Sequence, residues 1–537
     1  MINARVLTAS TGIFALLILL YNFWSYTSSN SIPRPLGAYF PVGQNNPQGP
    51  IPKSLPFTSG RTSWFHPQSW LPSTTSSQNS PKGTKHKWNI LYHLGGNGPW
   101  IQKVDGIVDG GIGPPEGCEV EQVHMMSRHA ERYPTIRAGI RMLDLVDRIK
   151  ADNVTLTGPL SFVKDWEWFA SDGEASFEQL TTTGPYAGTL DAFTTGVRLR
   201  TRYSHLLSGR ISPGGSKTSF WASGSERVVD TARYFAAGFW GLERKDSETL
   251  HVIPETAELG GDTLTPGDTC LAYQSDTEYG HDQGAAKLVE FSNTYLPAIA
   301  ERLETFISTA GSKAGEWRFR FTNDEVYALQ EMCGFETTVR GSSPWCGVFT
   351  HDEWESFEYA RDVIHFYRAG PGTKYAKAMG SLWLNATAGL LLNTLSAGPF
   401  FMSFVHDGDI VPMLAALNLY HDKNPLPVTH IPKHRAWKTS QVTPMMGRVI
   451  FERIHCPNKS QRKDELQARD QGDTYFVRIN VNDGIVAIPG CEGGPGKSCP
   501  LDEFVMRIRK NQQEGGDFRE VCGLGSDAPD RITFLHQ

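Results

Sequence analysis

The stretch that most constrains this chain is Val120 to Pro134, VEQVHMMSRHAERYP. Its first half, with Val120, Val123, Met125 and Met126, is an apolar run too short for a helix and reads as a strand. The run ends in a knot of charge, Arg128-His129-Ala130-Glu131-Arg132, closed by Pro134. Beyond it Ile136, Ile140, Leu143 and Val146 recur three or four apart, which predicts a helix. A strand, a cationic loop and a helix in succession is how an open α/β sheet presents ligand-binding groups at the carboxyl ends of its strands. Two arginines flanking a histidine beside a helix amino terminus form a site for a phosphoryl group. The planar guanidinium binds phosphate oxygens bidentately, and helix amides add positive potential. A lone Arg-His pair is more often a surface loop with ordinary salt bridges, but the full spacing R-H-x-x-R-x-P is much rarer.

Two later stretches repeat the pattern. In Thr218 to Phe239, Phe220-Trp221-Ala222 makes a strand, Ser223 with Glu226 fits a capping box, and Val228, Ala232, Phe235 and Phe239 form an apolar helical stripe. Arg227 then sits in the first turn of a helix, where a cation opposes the dipole unless an anion is near. From spacing alone, a solvated arginine is equally consistent. In Phe400 to Tyr420, the continuous apolar run Phe400 to Val405 suits a strand buried on both faces. His406-Asp407 follow at its carboxyl end, Asp409 can cap the next helix, and Pro412 is tolerated in its first turn. An isolated His-Asp pair reads as a capped turn; its place after a buried strand, as in the first two units, favours function.

The chain has 537 residues with 39% apolar content, enough for a large core and more than one lobe. A net charge of −6 gives no global attraction for nucleic acid, so any phosphate binding must come from a local basic cluster. The eight cysteines show no CxxC or Cys/His zinc spacing, and neither a metal nor a cofactor is expected. Sequons at Asn153, Asn385 and Asn458, an even cysteine count and a leading apolar stretch place the chain in the secretory pathway, outside the cytosol. Cysteine spacing does not choose among the many full pairings. Arg5 precedes the apolar run Ile13 to Trp24, so residues 1–28 read as a signal peptide or a membrane signal anchor. The anchor is favoured, because no clear A-x-A site follows. Residues 29–87 are rich in Pro, Ser, Gly and Thr and read as a linker or stalk.

The globular domain is expected over 88–537. Its opening segment, WNILYHLGGNGPW, lacks both GK[ST] and G-x-G-x-x-G and reads as a structural turn, not a nucleotide loop. Between roughly 245 and 385 long amphipathic stretches, such as Ala286 to Ile307 and Glu353 to Tyr367, alternate with loops. The expected fold is therefore α/β: an open mixed sheet flanked by helices, with an inserted, mostly helical lobe.

Arg128 to Pro134 resembles the signature RHGxRxP of the histidine acid phosphatases, the family of fungal acid phosphatases and phytases. Ala130 stands where that family has glycine, which adds a methyl close to the histidine. SGSERVVDTARYFAAGF resembles the segment holding the family's third phosphate-binding arginine, here Arg227. EMCGFE (331–336) and SPWCGVF (343–349) resemble fungal members, and His406-Asp407 resembles the family's HD dipeptide. The likeness covers about residues 88–537. It implies hydrolysis of phosphate monoesters, with broad acid phosphatase and phytase (inositol phosphate) activity both left open. It further implies that His129 attacks phosphorus, that Arg128, Arg132, Arg227 and His406 hold the non-bridging oxygens, and that Asp407 protonates the leaving group. Neutral imidazole is a nucleophile at acidic pH, whereas serine would need an activating base. The same resemblance implies the disulfides Cys118–Cys456, Cys270–Cys522, Cys333–Cys346 and Cys491–Cys499. Two other readings remain: a phosphoglycerate-mutase-like transferase, against which the leader and cysteines argue, and a non-catalytic cell-surface glycoprotein retaining the fold, to which Ala130 points.

Overall fold

The computed structural model describes residues 88–151, 154–207, 218–241, 248–309, 319–393, 397–457 and 474–536. The expected leader or anchor, the linker, and the sequons at Asn153 and Asn458 lie outside these residues. In chain order the strands are β1 (Glu119–Arg128), β2 (Val154–Leu156), β3 (Thr218–Ser223), β4 (Glu248–Ile253), β5 (Ile307–Thr309), β6 (Phe400–Val405), β7 (Arg448–Cys456), β8 (Thr474–Val481), β9 (Gly484–Val486) and β10 (Cys499–Pro500). The main sheet runs β10-β8-β7-β1-β6-β3-β4 with β9 beside β8, while β2 and β5 pair apart from it. β1, β6, β3 and β4 are mutually parallel, and β7, β8 and β10 continue in antiparallel pairings.

Side-chain alternation explains why these strands read as unbroken apolar runs. Phe400, Met402 and Phe404 of β6 join one buried cluster with Phe220, Ala222, Val123 and Met125. Phe401 and Val405 join the cluster on the opposite face with Trp221 and Met126. Both faces are covered, so no position needs a polar side chain.

The longer helices are α1 (Ile136–Ala151), α2 (Gly188–Arg202), α3 (Glu226–Trp240), α4 (Gln283–Glu304), α5 (Asn323–Arg340), α6 (His351–Arg368), α7 (Ala376–Leu392), α8 (Asp407–Ala416) and α9 (Leu501–Gly515). α2 and α3 cover the first face. They approach so closely that a Cβ on Gly196 would lie 2.1 Å from the Phe235 carbonyl oxygen, and one on Gly238 would lie 1.9 Å from that of Phe193. On the other face α7 is pinned to β6 by the Trp383 indole, which donates to Ser403 Oγ at 3.1 Å. α4, α5, α6 and α7 all fall between β4 and β6 in the chain. Thr322 with Glu325 and Thr350 with Glu353 form the capping boxes that start α5 and α6.

Three local expectations need correction. α1 buries Gly139, Met142, Leu145, Val146 and Ile149, whereas Ile136 and Ile140 are exposed. Its close face is set by Gly139, where a Cβ would lie 2.3 Å from the Phe177 ring. Ser223 does not cap α3: β3 pairs with β4 through Ser223, opposite Ile253, and the N-cap is Ser225. α8 begins at Asp407, so Pro412 falls in its second turn, and Asp409 caps by accepting from the His406 amide at 2.9 Å. Asn385 lies partly exposed on α7, with Thr387 of its sequon fully buried.

Four disulfides join Cys118–Cys456, Cys270–Cys522, Cys333–Cys346 and Cys491–Cys499. No helix among the described residues is long and apolar enough to cross a membrane. Cys270 separates the short helical turns Pro266–Thr269 and Leu271–Ser275, so its bridge to Cys522 anchors them across 252 residues of sequence. Replacing both by serine should destabilise the protein by about 2–5 kcal/mol in denaturant titrations. Removing Cys491–Cys499, which spans a separation of only 8, should cost less.

Candidate active site

The parallel register brings four strand ends to one edge, because Arg128 lies opposite Val405, Ala222 opposite Phe404, and Ser223 opposite Ile253. The residues just beyond those ends surround a cleft of about 370 Å³.

Arg128 closes β1 with its side chain 2% exposed. One guanidinium nitrogen donates to the carbonyls of Gly96 (2.7 Å) and Thr443 (2.8 Å), and the other meets Asp407 Oδ2 at 3.1 Å. The glycine-rich opening turn is thus structural, as its sequence indicates, but what it supports is this arginine. Asn97, next to Gly96, lines the cleft.

His129 continues the β1–β6 ladder, its amide donating to the Val405 carbonyl at 3.0 Å. Its Nδ1 is 2.8 Å from the Ala130 carbonyl oxygen. A carbonyl only accepts, so Nδ1 carries the proton and the lone pair is on Nε2. Burial, then Arg128, Arg132, Arg227 and His406, hold the imidazole pKa well below its usual value. These surroundings therefore favour the neutral ring.

Ala130 is fully buried in the apolar cluster that includes Val228 and Ala232 of α3. Its amide donates to Thr231 Oγ1 at 2.9 Å, and that hydroxyl donates to the Arg227 carbonyl at 2.7 Å. The His129 loop and the helix carrying Arg227 are thereby joined. Glu131 is buried behind the loop and accepts from the Trp100 amide at 2.9 Å. Burial, then Asp191, pushes its carboxyl up to about 8.

Arg132 donates to the Tyr133 carbonyl at 2.8 Å and lies 5.8 Å from the centre of the Phe335 ring. Burial, then the like charges of Arg128 and Arg227, presses its pKa down to about 9. Arg227 occupies the first turn of α3, 3.8 Å from Glu178 Oε2. Glu178 itself has a φ of 68°, a left-handed conformation that costs a non-glycine residue about 1 kcal/mol or more. The Nε atoms of Arg128, Arg132, Arg227 and Arg361 are all buried without a protein acceptor. Four such donors around one cleft suit a multiply charged oxyanion.

His406 presents its ring edge to His129, with centroids 5.8 Å apart, and its Nε2 is 3.1 Å from Glu255 Oε1. Asp407 is the first residue of α8, where the helix dipole favours an anion. Besides Arg128, it receives Arg368 at 2.8 Å, with His365 Nε2 at 3.9 Å. Burial would raise its pKa, but Arg128, Arg368, His365 and His129 together hold it well below the carboxylate range. Asp409 behaves oppositely: burial, then Asp268, Glu255 and Asp407, drives its pKa well above the usual value.

Arg128, His129, Arg132, Arg227, His406 and Asp407, expected from sequence, all line this one cleft. Sequence reasoning missed Glu255, Asp268 and Glu331, and it missed Arg361, His365 and Arg368 of α6. The last three had a signal, since spacing of four and three puts them on one helical face. A neutral nucleophilic nitrogen, crowded guanidiniums and a carboxyl at a helix terminus can together move a phosphoryl group off an oxygen leaving group.

Residues 119–482 match the histidine phosphatase superfamily (branch 2). The chain is 35% identical over 464 residues to the acid phosphatase PHO1 of Komagataella pastoris, covering 85% of this chain and 91% of that one. It is 32% identical to the phytase PHO112 of Candida albicans, covering 83% and 90%. The crystal structure of the phytase from D. castellii superposes with a TM-score of 0.73 at 28% identity, covering 87% of this chain and 94% of that one. On this match and on the relatives' near-complete coverage, the chain belongs to the histidine phosphatase superfamily, branch 2.

Proposed function

We propose that this protein is an acid phosphatase that hydrolyses phosphate monoesters through a phosphohistidine on His129. The observation that carries this is an imidazole fixed through Nδ1 to the Ala130 carbonyl, its proton affinity lowered by burial and by nearby guanidiniums whose Nε donors have no protein acceptor. His129 Nε2 attacks phosphorus, forming the N–P bond as the P–O bond to the alcohol breaks. The electron pair leaves on that oxygen, and Asp407 supplies its proton. Arg128, Arg132, Arg227 and His406 hold the non-bridging oxygens while charge builds on them. Water then attacks the phosphohistidine, giving its proton to Asp407 and releasing inorganic phosphate. No metal ion enters this sequence of steps.

In the free protein Asp407 is ionised by the cations that bind phosphate. A bound phosphate dianion offsets Arg128 and raises the proton affinity of Asp407, and acidic pH completes its protonation. Inositol phosphates belong to the proposed substrate range because the relatives include named phytases as well as acid phosphatases. The four disulfides support a secretory, oxidising location. Ala130 gives little support to a non-catalytic reading, because its methyl joins the cluster beneath α3.

Two outcomes are expected. His129→Ala abolishes phosphoenzyme trapping from labelled substrate, and hydrolysis of p-nitrophenyl phosphate with it. Asp407→Asn loses roughly 100-fold or more on alkyl phosphates and less on p-nitrophenyl phosphate, whose leaving group needs little protonation. An equal loss on both would remove the proton-donor assignment. Inositol hexakisphosphate compared with simple monoesters sets the substrate range.

Asp407 also makes stability depend on pH. Its folded pKa is depressed, so its contribution is fully present above the unfolded value of about 3.9 and is lost as pH falls through the folded value. Asp407→Asn should therefore destabilise by about 3 kcal/mol at pH 6. The deficit should shrink at pH 3, as read from denaturant titrations at both values.

A further inference from the structure

Arg227 and His406 follow different strands, β3 and β6, yet one side chain ties them together. Glu255 lies two residues past β4. Its Oε1 accepts from His406 Nε2 at 3.1 Å and from the Ser225 amide at 3.0 Å, and its Oε2 accepts from the Ser225 hydroxyl at 2.8 Å. Ser225 is the N-cap of α3 but makes no side-chain capping bond of its own. The carboxylate of Glu255 takes over the exposed amide there and places an anion at the positive end of the helix dipole. That anion also offsets the unfavourable placement of Arg227 in the first turn.

We propose that Glu255 is a positioning residue for phosphoryl transfer, holding the His406 ring and the Arg227-bearing end of α3 in one frame. The inference rests on the phosphatase reading above and adds to it a group that does not touch substrate. Only an imidazolium can donate from Nε2 to a carboxylate and from Nδ1 to a phosphoryl oxygen, and the ring cannot turn without breaking the first of these bonds. The groups around His406 are Glu255 from the β4 end, Asp268 from the turn Pro266–Thr269, His129 across the cleft, and Asp407 and Asp409 on its own helix. Burial raises the pKa of Asp268 and of Asp409. Burial would raise Glu255 too, but the hydrogen bond and charge of His406 hold it well below the carboxylate range. Glu255 is thus the ionised carboxylate bonded to His406 Nε2.

A double-mutant cycle tests this. Wild type, Glu255→Gln, His406→Ala and the double variant are compared in kcat and KM on p-nitrophenyl phosphate at acidic pH, and in tungstate affinity by calorimetry. Glu255→Gln is expected to lower kcat by about 10–100-fold, the range for losing a side chain that orients a functional histidine, with a smaller change in KM. Glu255→Asp should recover part of that loss by restoring the charge. In the His406→Ala background Glu255→Gln should change kcat and tungstate affinity by a clearly smaller factor, since only its hold on Ser225 and the Arg227-bearing end of α3 remains. Equal losses in both backgrounds, or a lower melting temperature with kcat unchanged, would overturn the proposal. If Glu255→Gln does not fold, Ser225→Ala removes one donor to Glu255 and takes its place in the cycle. Tungstate binding is read without turnover, so it still decides the role of Glu255 even if hydrolysis surviving in His129→Ala refutes the phosphatase reading.

Discussion

The buried ion pair between Arg128 and Asp407 is the interaction on which the rest of the site depends. A guanidinium 2% exposed is tolerable only if each of its donors finds an acceptor or a ligand. That need explains why such distant segments meet here. The glycine-rich turn gives the Gly96 carbonyl, the segment before β7 gives Thr443, and α8 gives the carboxylate. Arg368 of α6 then binds the other oxygen of Asp407, drawing in a helix from between β4 and β6. Because Arg128 both faces the cleft and holds Asp407 ionised, an anion that meets Arg128 also changes the proton affinity of Asp407.

The sheet makes this meeting inevitable. Parallel pairing aligns the ends of β1, β6, β3 and β4, and each supplies something just beyond its last residue. β1 leads into the His129 loop, β6 into His406 and Asp407, β3 into the turn before Arg227, and β4 into Glu255. Ligand groups outside the carboxyl ends of parallel strands are the general rule for open α/β sheets. Here four adjacent strands obey it at once, so the site needs no long loop to close it.

The parts legible in the sequence were those written locally. Val120 to Pro134 and Phe400 to Tyr420 each contain a strand, its catalytic-type residues and the next helix start in one stretch, so periodicity and charge sufficed. Parallel strands buried on both faces also leave an unmistakable apolar run. What stayed hidden arises from packing between segments far apart in sequence. Nothing around Glu255 announces a carboxylate that will bridge Ser225 and His406, since those partners are separated from it by 30 and 151 residues. α1 was out of phase for a related reason: its close face is defined by Gly139 against Phe177, and a search for apolar residues cannot see a contact made by the absence of a side chain. The capping box at Ser223 failed because β3 pairs with β4 to its last residue, which leaves Ser225 to begin α3.

Asp407 and Asp409 show how the same fold divides the roles of two similar side chains. They are two residues apart at the start of α8 and both line the cleft, yet their proton affinities are pushed in opposite directions. Burial raises both, so the difference comes from what each faces. Asp407 looks onto Arg128, Arg368 and His365, whereas Asp409 looks onto Asp268 and Glu255 and is tied to the His406 amide. A carboxyl whose proton affinity is raised by burial and by neighbouring carboxyls gains no acidity from an anion bound nearby. A carboxylate held ionised by arginines changes its proton affinity when a phosphate dianion takes up part of their charge. Under the proposed mechanism, that response is what would let Asp407, and not Asp409, pick up a proton and give it to the departing oxygen.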